Sequence, residues 1–152
     1  MLYFLFLFAP TASFAVEIPK EARVFNTSEH QCVWASLETL ARHNQIPELY
    51  DLTTKYKKKA TPDNVRYVLK KRKIKYKMTL HGRGSHGFLK ENIRHGIAFG
   101  TNRKHMMTLV HIDDKEAKFI DNSDKNLEVQ TWDIKKFNKA FDGWAIVIFK
   151  GK

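Results

Sequence analysis

Cysteine is almost missing from this chain: Cys32 is the only one in 152 residues. A single thiol excludes an intramolecular disulfide. It also excludes the zinc sites built from several cysteines. His43, His81, His86 and His95 show no metal-ligand spacing, and no metal or other cofactor is expected. Long apolar stretches are missing as well, since the run from Leu2 to Phe8 is too short to span a bilayer. Acidic residues are scarce, 16 against 27 Lys and Arg, for a formal net charge of +11. There is no internal repeat, no low-complexity tract and no linker. Gly82-Arg83-Gly84-Ser85 is too irregular to cradle a phosphate and reads as a turn.

The length suits one domain with a real core. Residues 1–15 read as a secretory signal peptide. An apolar run is broken at Ala9-Pro10, and Ser13 and Ala15 place small residues ahead of a cleavage site before Val16. The usual positive residue ahead of the run is missing, and an uncleaved anchor is the alternative. The mature chain would be residues 16–152, a single exported domain, periplasmic or secreted. An unpaired thiol in an oxidising compartment calls for a reason. Dimerisation through it is one, chemistry is another, and a monomer is expected.

The positive charge is local. Eleven Lys and Arg lie between Lys55 and Lys77, against the single acid Asp63. Such a stretch suits an anionic surface or polymer, or it is a solvated face that aids solubility. No aromatic residues interleave with it in the manner of a single-strand platform, and no specific nucleic acid is expected.

Cys32 sits where the polar run Asn26-Thr27-Ser28-Glu29-His30-Gln31 gives way to helical periodicity. Val33, Leu37 and Leu40, with Trp34 and Ala41, form an apolar face of a helix ending near His43. The thiol therefore lies at a helix N-terminus, where the macrodipole favours the thiolate and so a nucleophile. The alternative is an inert buried cysteine packing as a small hydrophobe.

Downstream, residues 48–57 suggest a short helix. Thr61-Pro62 opens another helix to about Arg72. Strand alternation covers 74–80. A short helix from Ser85 ends at Gly96. Strands follow at 97–99, 106–112, 117–120 and 127–131, then a short helix at 134–141 and a final strand at 144–149. Asp113-Asp114-Lys115 is a hairpin turn. Helices first and an antiparallel sheet after them make an α+β fold.

His105 opens the strand 106–112, and Asp121 closes the strand joined to it by that turn. The far ends of a hairpin lie side by side, so the two are neighbours. Asn122 is adjacent, and alternation lets only one of Asp121 and Asn122 point at His105. A nucleophilic thiol needs an imidazole, and the imidazole needs an orienting group.

These segments resemble the papain-like cysteine peptidases, and more closely the bacterial branch containing the bacteriocin-leader (double-glycine) peptidases. The resemblance runs from about Asn26 to Phe149. It implies a papain-like fold with Cys32 at the start of the central helix, a peptide or protein substrate, and catalysis by Cys32, His105 and Asp121. The 16-residue gap from His105 favours Asp121 over Asn122 as the orienting residue. The family places an oxyanion-hole glutamine six residues before the cysteine. Here that position is Asn26, a shorter amide, with Gln31 as the substitute and the Cys32 N–H as the second donor.

Gln31-Cys32-Val33-Trp34 also resembles the start of CHAP-type peptidoglycan amidases, although that family is expected to become strand-rich soon after its first helix. A third reading, from another class, is a non-catalytic basic binding module on the same fold. His111 shares odd parity with His105 and either lines the same cleft or is a satisfied core or edge histidine. His30 reads as a surface residue beside Cys32. Trp34, Trp132 and Trp144 read as core or cleft wall. Asn26-Thr27-Ser28 matches a glycosylation sequon.

Overall fold

The structure is a computed structural model that describes residues 15–80 and 85–151. Residues 1–14, in the stretch expected to be a signal peptide, and the expected glycine turn at 82–84 lie outside the described residues.

Helix α1 spans Cys32–His43, and every residue from Cys32 to Ala41 is buried. It is thus enclosed on all sides rather than apolar on one face. Its polar residues survive burial because each is bonded. Ser36 donates to Asn122 Oδ1 at 3.0 Å. Glu38 takes Arg42, and the Thr53 N–H and hydroxyl. Thr39 Oγ1 accepts the Val24 N–H.

The expected helix over 48–57 is broken. A 3-10 turn at Pro47–Leu49 precedes α2, which covers only Leu52–Lys55. The carbonyls of Thr53 and Tyr56 that would have continued it accept the buried Gln31 amide. Helix α3 spans Pro62–Lys71, with Thr61 as N-cap accepting the Asn64 N–H. Helix α4 spans Ser85–Asn92, followed by a 3-10 turn that Gly96 ends at φ +69. Helix α5 spans Ile134–Ala140.

Six strands form one antiparallel sheet: β1 Lys75–Thr79, β2 Ile97–Thr101, β3 His105–Ile112, β4 Glu116–Ile120, β5 Val129–Asp133 and β6 Phe141–Phe149. The spatial order is β1-β6-β2-β3-β4-β5. β5 starts two residues later than its apolar pattern suggests, because Leu127 sits at φ +51 in a turn closed onto Asp124. β6 starts three residues earlier, through an irregularity at Asp142–Trp144 where Gly143 has φ +90. The architecture is α+β. One core lies between the sheet and α1 and α3; the second, built on Phe99, Phe119 and Phe137, lies between the sheet and α4 and α5.

The segment after Ala15 is built into the fold. The Val16 N–H donates to the Val110 carbonyl, and Ile18 and Ala22 are buried in the α1 core. Arg23 donates to the carbonyls of Ile18 and Leu127. The Asn26 N–H reaches the Asn122 carbonyl at 2.6 Å. This strap leads the chain directly into the turn before Cys32.

Candidate active site

Cys32 occupies the first position of α1, and its thiol is buried. Gln31 is the N-cap residue and makes no side-chain cap. The first-turn N–H groups therefore stay directed at what lies ahead of the helix. The N–H groups of Val33 and Met106 both reach the Cys32 sulfur. β3 delivers Met106, and one residue earlier it delivers His105.

His105 is half-buried, and its Nε2 lies 2.8 Å from Asp121 Oδ1. That leaves Nδ1 to face the thiol, with which the ring hydrogen bonds. Asp121 is fixed in turn by the Ser123 N–H at 2.9 Å. The electrostatics form a chain. Burial alone would raise the Cys32 pKa, but His105 and the Met106 and Val33 N–H groups outweigh it, and the net shift is downward. His105 is pushed up to about 9, chiefly by Asp121 and then by Cys32, against the opposing effect of burial. Asp121 is opposed by burial as well, yet His105 and the Ser123 N–H hold it below the ordinary carboxylate value. A lowered thiol and a raised imidazole both shift the pair toward thiolate and imidazolium.

Asn122 does not orient the imidazole. Fully buried, it turns its side chain the opposite way from Asp121. Its Oδ1 accepts from Ser36 and Thr108, and its Nδ2 donates to the Val24 carbonyl and Thr39. The two oxyanion candidates are also engaged elsewhere. Gln31 donates both amide hydrogens to the carbonyls of Thr53 and Tyr56. Asn26 donates to Ser123 Oγ, and its carbonyl accepts the Ser28 N–H. Neither lines the cleft at Cys32. Spacing alone gives no account of an amide's competing partners.

That cleft has a volume of about 230 Å³. Cys32, His30 and Lys59 line it from the helical side, and Arg103, His105 and Trp144 from the sheet side. Trp144, read from the sequence as core or cleft wall, lines the cleft. Its Nε1–H is buried with no hydrogen-bond partner among the described residues. Trp34, in contrast, is a core residue whose indole N–H donates to the Lys58 carbonyl.

His111 lies at the far end of β3 and bonds Asp113 at 3.0 Å, so it is a satisfied edge histidine outside the cleft. A bulge between Leu109 and His111 breaks the parity that linked it to His105. His111, Asp113 and Glu116 are the one grouping among the described residues with metal-ligand proximity. Asp113 is already committed there to the N–H groups of Glu116 and Lys115.

No protein-family model matches the chain, and no curated protein matches it in sequence. Solved structures do match it. The double-glycine-motif protease of an AMS/PCAT transporter, solved in complex with the leader peptide, aligns at TM-score 0.69 and 16% identity, over 91% of this chain and 94% of that chain. The peptidase domain of Streptococcus ComA, a bifunctional ABC transporter of a quorum-sensing pathway, aligns at 0.64 and 16%, over 84% and 97%. The peptidase domain of Streptococcus mutans ComA aligns at 0.59 and 15%, over 85% and 99%. At these identities the likeness is one of architecture: the chain has the papain-like fold of the double-glycine leader peptidase domains.

Proposed function

We propose that this chain is a papain-like cysteine hydrolase that cleaves an amide bond in a peptide or protein, with Cys32 as nucleophile, His105 as general base and acid, and Asp121 as the orienting carboxylate. The observation that carries the reading is the continuous relay from the Asp121 carboxylate through the His105 ring to the Cys32 sulfur. In the first half-reaction His105 Nδ1 holds the thiol proton and the thiolate adds to the carbonyl carbon. The Cys32 N–H, which has no intrahelical acceptor at the first helical position, faces the developing oxyanion. His105 then protonates the leaving amine as the C–N bond breaks, leaving an acyl thioester. Water, deprotonated by His105, adds to the thioester and releases the acid and the thiol.

The amidase alternative has less support. After α1 the chain runs through α2 and α3 before its first strand at Lys75. Export is part of the proposal and rests on the pattern of residues 1–15. Among the described residues no helix is long and apolar enough to cross a membrane. N-terminal sequencing of protein recovered outside the cytosol should begin at Val16.

The test is labelling with an electrophilic peptidyl probe of the epoxide or vinyl sulfone type, followed by mass spectrometry. Adducts on Cys32 are expected in the native chain, none in Cys32→Ala, and a rate roughly 10²-fold lower or less in His105→Ala. Labelling no faster than that of free cysteine would overturn the assignment.

A further inference from the structure

We propose that the cavity beside the nucleophile is a subsite for an acidic stretch of the substrate peptide that seats one apolar side chain among lysines. It rests on the hydrolase reading for the place where the substrate passes. The cavity holds about 430 Å³, and Lys59 lines both it and the Cys32 cleft, so the two adjoin.

Its apolar wall is rigid. Trp34 stacks on Tyr56 with ring centroids 4.8 Å apart. The Trp34 indole N–H holds the Lys58 carbonyl, which pins the lysine loop over the rings. Tyr67 from α3 completes the wall and is 63% exposed, an unusual state for a large aromatic residue beside a concave surface.

The rim is cationic and unneutralised. Lys55, Lys57, Lys58 and Lys59 all line the cavity, all are exposed, and none makes a salt bridge among the described residues. The nearby Asp51 is taken by Arg72. Arg103 and Lys104 add positive charge on the opposite wall of the Cys32 cleft. Asp142, also on that wall, already accepts the N–H groups of Arg103 and Trp144. A segment crossing this surface meets cations on both sides, so carboxylates beside the apolar anchor complement it. A nucleic acid fits less well. Trp34 is 2% exposed and Tyr56 is half-buried against it, which leaves Tyr67 as the one fully exposed ring of the cavity rather than a row of stacking platforms.

Fluorescence anisotropy on full-length Cys32→Ala protein tests the subsite without turnover. Three labelled peptides serve as probes: a leucine flanked by glutamates, the same peptide with glutamines, and the glutamate peptide with alanine at its centre. The glutamate–leucine peptide should bind about tenfold or more tightly than the glutamine peptide at low salt. Most of that advantage should disappear near 0.5 M salt. Lys58→Glu with Lys59→Glu should remove it. Tyr67→Ser should weaken the leucine peptide toward the alanine one. Lys75→Glu with Lys77→Glu, the same charge change on β1 outside this cavity, should change nothing. Equal binding of the glutamate and glutamine peptides would overturn the subsite. So would equal weakening by the β1 variant, or displacement by an oligonucleotide together with indifference to Tyr67→Ser. Probe labelling of Cys32 without peptide binding would sink the subsite alone, and peptide binding without labelling would sink the hydrolase reading alone.

Discussion

Asp121 and Asn122 are consecutive, and their side chains leave the chain in opposite directions. Asp121 meets His105. Asn122 enters the core and fills all four of its hydrogen-bonding positions. Replacing Asp121 by Asn keeps the shape and removes the charge that contributes most to the raised His105 value. In the native chain, peptide turnover should therefore hold up until the imidazolium is lost near pH 9. In Asp121→Asn that alkaline limb should move to lower pH, read from the pH profile of peptide turnover. The stability sign follows. The folded-state value of His105 lies above its unfolded value near 6.5, so its contribution is complete below about pH 6.5 and is lost as pH rises through about 9. The Tm difference between native protein and His105→Gln should shrink over that interval. Asn122→Ala is a different case. It strands the hydroxyls of Ser36 and Thr108 and the Val24 carbonyl, and should cost about 3 kcal/mol in denaturant unfolding. That Cys32 opens a helix and that His105 neighbours Asp121 or Asn122 could be read from helix periodicity and the hairpin, while the choice of Asp121 came from the family resemblance. The fate of Asn26 and Gln31 could not, because nothing in the spacing shows that Ser123, Thr53 and Tyr56 compete for those amides.

The β2–β3 hairpin is the element that sets His105. Its turn holds Asn102 and Arg103 at φ +51 and +57, a conformation that side chains other than glycine adopt reluctantly. Two contacts keep it there: the Asn102 N–H donates to the Ala140 carbonyl, and the Arg103 N–H to Asp142 Oδ2. Gly100 makes room for that carboxylate, since a Cβ on it would lie 2.6 Å from Asp142 Oδ1. Gly100→Ala should displace Asp142, cost about 2 kcal/mol, and slow Cys32 alkylation through the loosened turn. Both effects can be read on one protein, by unfolding and by alkylation rate. Thr61→Ala, which removes the α3 cap and no hydrogen bond to Cys32 or His105, should cost about 1 kcal/mol and leave alkylation unchanged. The helices were legible from periodicity and from the Thr61-Pro62 start. The bulge near Val110 and the irregularity at Asp142–Trp144 were not, because an inserted residue looks like ordinary sequence until its partner strand is known.

At the scale of the whole molecule, the sheet separates two cores and the site forms where α1 meets β3. Helices followed by an antiparallel sheet were readable from the order of patterns. The strap of residues 16–26 was not, since its contacts are to Val110, Asn122 and Leu127, all distant in sequence. The Asn122 side chain bonds Val24, Thr39 and Ser36 across sequence separations of 98, 83 and 86 residues. Loops of that length close late in folding. Everything that lowers the Cys32 pKa from the sheet side, His105 and the Met106 N–H, arrives with the same closure. Until then the thiol is an ordinary one, mostly protonated at neutral pH and slow to react. Under the proposed function the chain therefore carries a timer: its one thiol stays quiet through synthesis and refolding and gains its lowered pKa with the last long-range contacts. Stopped-flow refolding with a thiol-reactive dye should show reactivity rising with the slowest folding phase, after the helical signal is complete.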